Sequence, residues 1–144
     1  LWNTVLRFEA RYRYANGVSL VCRSDTPYIR FEGEEGWIRV DYPGTLSAEP
    51  ASVVDSVIGP GELRLAEQLE DKADFVGAIR EGRTTLEPVE VGHRTVSICQ
   101  IGLIAMQVGG TLRWDPERER FVDDNAANAR LARPQRDWRD AYGG

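Results

Sequence analysis

The sequence is poor in the side chains that most often bind metals or form cross-links. Its 144 residues include one histidine, two cysteines and one methionine. Cys22 and Cys99 lie far apart in apolar runs, which predicts free, buried, reduced thiols rather than a structural disulfide. One imidazole and two distant thiols are too few ligands for a zinc centre. We therefore predict no metal site in this chain.

Long apolar runs and an excess of positive charge are also missing. No apolar run approaches the roughly 20 residues of a membrane-spanning helix. The formal net charge is −5 and the pI about 5.0, so the surface as a whole repels phosphate backbones. We expect a cytoplasmic protein whose partners include neither membranes nor nucleic acids. A tail over residues 130–144 is predicted to be a solvated or docking segment, because its arginines alternate with aspartates: Arg130, Arg133, Arg136 and Arg139.

Motifs for nucleotide binding and nucleophilic catalysis do not occur. "GPGEL" at 59–63 has neither a third glycine nor a preceding strand, so it predicts a turn rather than a phosphate-binding loop. The nucleophile pattern G-x-S-x-G is missing too. Carboxylate pairs are predicted in turns or helix caps, where they accept hydrogen bonds from backbone N–H groups: Glu34/Glu35, Glu117/Glu119 and Asp123/Asp124. Residue chemistry alone therefore assigns no catalytic residue.

A strand-rich first part is the clearest structural signal. Residues 5–14 alternate between apolar and charged side chains, as in a strand with one buried face. Asn16-Gly17 predicts a two-residue type I′ turn into a second strand. "YIRFEG", "EEG" and "WIRVD" predict another hairpin, which completes a four-stranded antiparallel meander. The Pro-, Gly- and Ser-rich residues 43–61 predict an irregular connection, and "LRLAE" after them a short strand.

The second part is predicted to be mainly helical. One helix covers 69–81, with Asp71 or Asp74 as its cap and Gly82 at its end. A longer helix covers 90–108, and its interspersed small residues predict a buried position. "TLRW" and "RFV" flank "DPERE" as a final hairpin, and "DDNAANARLA" predicts a short capped helix. The whole predicts a single α+β domain over 1–144, with an open, mostly antiparallel sheet and helices covering one face.

His93 lies in the first turn of the longer helix. Ser97, four residues on, lies on the same helical face, and Cys99 is close in sequence. One interpretation is therefore a hydrolase that uses His93 with Ser97 or Cys99 as nucleophile. The other is that His93 caps backbone groups or packs under a loop. The second is favoured on residue chemistry, because no partner side chain for the imidazole is evident.

Three segments resemble one enzyme family. "FVGAIREG", then "P-x-E-V-G-H-R", then "LRWDPERERFVDDNAAN" are similar to the C-terminal portion of bacterial Gfo/Idh/MocA oxidoreductases, and most of all to a subgroup common in Planctomycetes-like bacteria. "YANGVSLVC", "RFEGEEGWIRVD" and "IGPGELRLAE" resemble the preceding sheet of the same proteins. The resemblance covers nearly the whole chain and is most specific in its second half.

The resemblance implies a two-domain enzyme of which this chain is the second domain. In the family, an N-terminal Rossmann domain binds NAD(P), and an open-sheet domain shapes the substrate site and often pairs with a second subunit. The family's E-K-P segment with its catalytic lysine does not occur in this sequence. Its Asp/His pair four residues apart does not map onto His93 either, because Val89 stands four residues before it. His93 and Arg94 are expected near the cleft as positioning or docking residues, not as catalysts.

Two functions from different classes follow. The first is the substrate-shaping and dimerisation domain of an NAD(P)-dependent sugar or polyol oxidoreductase, inactive without its Rossmann domain and binding no cofactor itself. An arginine-rich strand face, Arg7, Arg11 and Arg13 with Glu9, is the expected dimer interface. The chain begins without Met and directly in a strand pattern, which favours an excised domain. The second is a stand-alone sheet-based binding or assembly module without enzymatic activity.

Overall fold

The computed structural model describes residues 5–66 and 70–134. These residues form seven strands, three α-helices and one 3-10 turn, Ala51–Val53. In chain order the strands and α-helices are β1 (Glu9–Arg13), β2 (Ser19–Arg23), β3 (Tyr28–Gly33), β4 (Gly36–Asp41), β5 (Thr45–Glu49), α1 (Asp71–Glu81), α2 (Val89–Val108), β6 (Trp114–Asp115), β7 (Arg120–Phe121) and α3 (Asn125–Asn128).

The strands form small open sheets, ordered β1-β2, β3-β4-β5 and β6-β7. Pairing is antiparallel in the second and third of these sheets. The predicted α+β class with open antiparallel sheets is confirmed. The predicted single meander is wrong, because its four strands fall into two separate sheets and β5 adds a third strand to the second of them.

The chain divides into two compact units. The first unit comprises Leu1–Glu9 and Cys22–Leu86, and the second comprises Ala10–Val21 and Glu87–Gly144. The first therefore holds β3, β4, β5 and α1, and the second holds most of β1 and β2 together with α2, β6, β7 and α3. The single domain over 1–144 stays a prediction. The tail over 130–144 lies largely outside the described residues, which end at 134.

The sheet of the first unit has one apolar and one polar face. Cross-strand partners in an antiparallel pair share a face, and the register pairs Ile29 with Val40 and Val40 with Leu46. One face, called the apolar face below, therefore carries six apolar side chains: Ile29, Phe31, Ile38, Val40, Leu46 and Ala48. The opposite face stacks arginines on aromatic rings, with Arg30 4.4 Å from the ring centroid of Trp37 and Arg39 4.0 Å from that of Tyr28.

Three segments between the predicted main elements differ from their predictions. β5 lies inside the stretch 43–61 that was predicted to be irregular, because a tight turn closed by the Gly44 N–H on the Asp41 carbonyl leads straight into a strand. The Asn16-Gly17 turn is not type I′. That turn requires positive φ at both residues, whereas only Gly17 has it, at 89°. The strand predicted at "LRLAE" is not formed over its described residues 63–66.

Helix α1 ends as predicted but begins differently. Gly82 ends it in the left-handed conformation, with φ 64°, which glycine adopts without steric cost. Glu70 is the N-cap and makes no side-chain capping bond. The predicted cap Asp74 instead accepts hydrogen bonds from the Leu86 N–H at 2.8 Å and the Arg83 guanidinium at 2.7 Å. Asp74 therefore ties the loop after the helix back to its first turn.

Helix α2 follows Pro88 and ends at Gly109, as predicted. Its middle packs closely on β1, since a Cβ on Gly102 would lie 2.1 Å from Oη of Tyr12. The Tyr12 hydroxyl donates to the Ile98 carbonyl at 3.1 Å. The predicted burial of the whole helix is wrong, because only Gly102 and Ile104 are buried and the valines of its first half, Val89, Val91 and Val96, are exposed. Cys22 and Cys99 are free as predicted, but both are exposed rather than buried.

The core of the second unit lies beneath the final hairpin. Ile104, Phe121 and Ala127 form a buried cluster, and the Trp114 ring meets that of Phe121 edge-on at a centroid distance of 5.0 Å. The predicted hairpin over "DPERE" and the predicted capped helix after it are both confirmed. Asp124 caps α3 by accepting the Ala127 N–H at 2.8 Å.

Candidate functional site

The first turns of α2 present three polar side chains on one side. Glu90, His93 and Arg94 are spaced three and four residues apart, which places them next to one another on a helix surface. Nε of Arg94 donates to Oε1 of Glu90 at 2.7 Å. This bond, together with the Glu90 charge, raises the pKa of Arg94 above its ordinary value. The helix thus presents an ion pair beside the imidazole of His93.

The loop of the β6–β7 hairpin is held by its own aspartate. Oδ1 of Asp115 accepts the N–H groups of Glu117 and Arg118, both at 3.0 Å. These bonds, that of Arg118 first, lower the pKa of Asp115. The loop ends at Glu119, whose φ of 49° lies in the left-handed region that residues with a side chain rarely adopt. The turn therefore fixes the backbone position from which the Glu119 side chain extends.

The helix turn and the hairpin loop meet at that carboxylate. Nε2 of His93 lies 2.5 Å from Oε1 of Glu119. Nη1 of Arg94 lies 3.6 Å from the same oxygen and donates to the Pro116 carbonyl at 2.8 Å. The hydrogen bond from His93, and then the charges of His93 and Arg94, lower the pKa of Glu119. We call His93, Arg94 and Glu119 the imidazole cluster.

The hairpin that carries Glu119 is anchored to the core of the second unit. Asn128 of α3 accepts the Phe121 N–H at 2.9 Å and donates its amide to the Phe121 carbonyl at 2.8 Å. These two bonds occupy the strand edge next to Phe121, whose side chain is fully buried. The cluster itself stays open to solvent, with 44% of the His93 and 48% of the Arg94 side chain exposed. An accessible cluster on a well-fixed hairpin can bind a ligand without rearrangement.

His93 and Arg94 as cleft residues stay a prediction from the sequence, and their contact with Glu119 was not predicted. Glu119 was predicted only to satisfy backbone groups in a turn, whereas its side chain bonds to an imidazole 26 residues away. The hydrolase interpretation also fails for Ser97, whose hydroxyl donates to the His93 carbonyl at 2.8 Å and not to the ring. A nucleophile must meet its base directly, so this serine is a structural residue of the helix.

The "GPGEL" loop does not fit the phosphates of a dinucleotide. In the "GPGEL" loop the Gly59 N–H donates to Oε2 of Glu62 at 2.6 Å, so a carboxylate of the chain occupies the donor that a phosphate would need. Residues 63–66, which follow this loop, are not helical, whereas phosphate loops open a helix. Over 5–66 and 70–134, no three His, Cys, Asp or Glu side chains are grouped closely enough to hold a metal ion.

Comparison with known proteins identifies the family. A model of the C-terminal α/β domain of the Gfo/Idh/MocA oxidoreductase family matches residues 5–140. The chain therefore belongs to this family and corresponds to that C-terminal domain, as the resemblance of its motifs implied. Searches of curated proteins and of solved structures find no match. Among the helices of the described segments, none has the length and apolarity needed to cross a membrane.

Proposed function

We propose that this chain shapes the substrate site of an NAD(P)-dependent oxidoreductase that acts on sugars or polyols, and that it is not catalytic alone. The family match over residues 5–140 is the observation that carries this proposal. Since the glycine loop at 59–62 is filled by Glu62, the nicotinamide cofactor would be bound by a Rossmann domain of the parent enzyme. His93 would face the substrate cleft, and Arg94 would hold the helix turn against the hairpin.

Cofactor binding gives the direct test. NADH and NADPH are titrated separately into the chain while nicotinamide fluorescence is followed. We expect no change in intensity or emission maximum, because Glu62 occupies the Gly59 N–H that a pyrophosphate would need. Fluorescence enhancement that saturates at micromolar protein would contradict the proposal that the cofactor is bound by the Rossmann domain and not by this chain. Attaching a Rossmann domain of the family to the chain should restore binding.

We further propose that the chain dimerises through the apolar face. Four of its side chains are exposed although they are large and apolar: Ile29 at 62%, Phe31 at 67%, Leu46 at 45% and Val40 at 40%. Contiguous exposed apolar surface of this kind marks an interaction site. A second copy supplies a matching cover, since all six positions of the face are uncharged and two such sheets can pack face to face. This face suits a dimer better than the arginine-rich face of β1, where like charges would meet.

The oligomeric state tests this interface. Phe31→Ser places a hydroxyl at the most exposed position of the apolar face and should shift the molar mass, measured by light scattering, from dimer to monomer. Phe75→Ser is the matched control, because Phe75 is also exposed, at 59%, but lies on α1. It should leave the mass of the wild type unchanged. A wild-type monomer, or equal loss of mass in both variants, would exclude the apolar face as the interface.

A stand-alone binding or assembly module remains the second candidate. The exposed apolar face favours it, because such a face can bind a partner whether or not the parent is an enzyme. The coding region separates the two functions. A Rossmann domain encoded in the same reading frame supports the oxidoreductase, and a start codon directly before Leu1 supports the module.

A further inference from the structure

The two candidate cleft residues differ in what their polar atoms already bind. The Arg94 guanidinium bonds to Glu90 and to the Pro116 carbonyl, and it lies close to Glu119. His93 uses Nε2 for Glu119, and none of the described residues forms a hydrogen bond with Nδ1. Because 44% of this side chain is exposed and Nδ1 has no such partner, Nδ1 is one atom of the imidazole cluster that is left for a ligand.

Glu119 determines which proton state that atom has. An ionised carboxylate only accepts hydrogen bonds, so the short contact with Oε1 requires the proton on Nε2. In the neutral imidazole the other nitrogen is then a bare acceptor. A carboxylate at Nε2 thus prepares Nδ1 to receive a proton donor.

The hairpin fixes Glu119 independently of His93. Asp115 holds the loop through two backbone N–H groups, and Asn128 holds the strand that follows. The backbone of Glu119 keeps φ at 49°, a conformation that persists only where the surrounding structure enforces it. The backbone that carries the carboxylate is therefore fixed without any contribution from His93, so the carboxylate is placed to orient the ring.

We propose that Glu119 is a positioning residue that holds His93 in the Nε2–H tautomer, so that Nδ1 accepts a hydrogen bond from a substrate hydroxyl. This inference rests on the proposed function, which supplies the cleft and the hydroxyl-rich substrate. Sugars and polyols donate O–H groups and fit such an acceptor. An anionic group has only acceptor lone pairs, which repel the lone pair of the unprotonated Nδ1, so it would not bind there.

The single histidine makes the tautomer directly measurable. In a 15N-labelled chain every imidazole signal in long-range proton–nitrogen NMR spectra comes from His93. The spectra are recorded at a pH of about 8.5, where histidine side chains in general are uncharged. We expect Nδ1 at the shift of an unprotonated nitrogen and a Nε2–H proton visible in one-bond spectra. Glu119→Asn and Glu119→Gly should lose the Nε2–H signal and give mixed tautomers.

These two variants keep the turn, because asparagine and glycine tolerate positive φ, and circular dichroism checks the fold. Glu117→Ala, in the same loop, is the matched control and should behave as the wild type. A protonated Nδ1 in the wild type, or spectra of both Glu119 variants that match the wild type, would overturn the role of Glu119.

Sorbitol, used as the polyol probe, tests the recognition step. It should shift the Nδ1 signal of the wild type and of Glu117→Ala, with at least a tenfold weaker response in Glu119→Asn. A fixed tautomer without any sorbitol response would overturn hydroxyl recognition and leave Glu119 as a structural contact. The NADH titration is independent of both results, so it separates failure of this inference from failure of the proposed function.

Discussion

The two units of the chain bury their apolar side chains to very different extents. In the second unit, Phe121 and Ala127 have no exposed surface and Ile104 has 5%. In the described part of the first unit, Ala78 is the only buried hydrophobic residue. There the large apolar side chains of β3 and α1 point into solvent, with Phe31 67% and Ile79 67% exposed.

This difference distinguishes a unit that can hold side chains in fixed positions from a unit whose apolar surface is available for contacts. A unit with its own core can hold side chains in fixed positions, and the imidazole cluster lies on that unit. A three-stranded sheet with a solvent-exposed apolar face gains little stability from its own packing, so its apolar side chains are available for association. The comparison therefore favours the second unit for the proposed ligand contacts and the first unit for the proposed subunit contacts.

Removing the largest core side chain tests the comparison most strongly. Phe121→Ala deletes a fully buried ring and should lower the free energy of unfolding by about 3–5 kcal/mol, measured by urea denaturation. Phe31→Ala makes the same change on the apolar face and, at protein concentrations at which the chain is monomeric, should change the free energy of unfolding by less than about 0.5 kcal/mol. Equal losses in the two variants would show that both units depend on the same kind of packing.

The close contact between α2 and β1 gives the next largest effect. Gly102→Ala places a Cβ 2.1 Å from Oη of Tyr12, so the phenol must move and its bond to the Ile98 carbonyl is lost. We expect a cost of about 1–3 kcal/mol in the same denaturation experiment. Gly92→Ala is the matched control on the same helix. No atom lies within 4 Å of its new Cβ, so the helix should gain about 0.5–1 kcal/mol.

Tyr12→Phe sharpens this prediction. It removes the hydroxyl that the new methyl group meets, and the combined variant should recover part of the loss caused by Gly102→Ala. If the changes in unfolding free energy caused by Gly102→Ala and Tyr12→Phe are additive, the cost of Gly102→Ala does not arise from contact with the Tyr12 hydroxyl.

Features set by neighbouring residues could be predicted from the sequence. Pro88 and Gly109 bracket α2, Gly82 ends α1, and Asp124 caps α3, because each acts on the backbone within one turn. The alternation of β1 predicted the half-buried positions of Ala10 and Tyr12 correctly. His93 and Arg94 were predicted as site candidates because the motif that contains them is distinctive, even though their partners lie elsewhere in the chain.

Features that depend on distant residues could not be predicted. Glu119 meets His93 across 26 residues, and nothing in "DPERE" indicates which of its carboxylates points to the helix. β5 was missed because proline, glycine and serine around it resemble a loop, whereas pairing with β4 decides its conformation. The exposure of residues in the first half of α2 was missed for the same reason. Its small and apolar residues predict burial, but they do not specify which other part of the molecule covers them.

The smallest expected effect concerns acid stability in the first unit. The Leu86 N–H, and then Arg83, lower the pKa of Asp74 below its ordinary value of 3.8. A lowered carboxyl pKa stabilises the folded state above the unfolded pKa, and this contribution is lost as the pH falls through the folded pKa. Asp74→Asn should therefore lower the thermal midpoint at neutral pH, and its difference from the wild type should shrink below pH 3.8 and vanish once the pH has fallen through the lowered pKa of Asp74. Asp71→Asn, in the same helical turn but without bonds to Arg83 or Leu86, is the control. If the difference between Asp74→Asn and the wild type persists unchanged in acid, the charge of Asp74 does not link α1 to the loop after it. The shape of the side chain would then make this link, and the first unit would be stabilised by packing, as the second unit is.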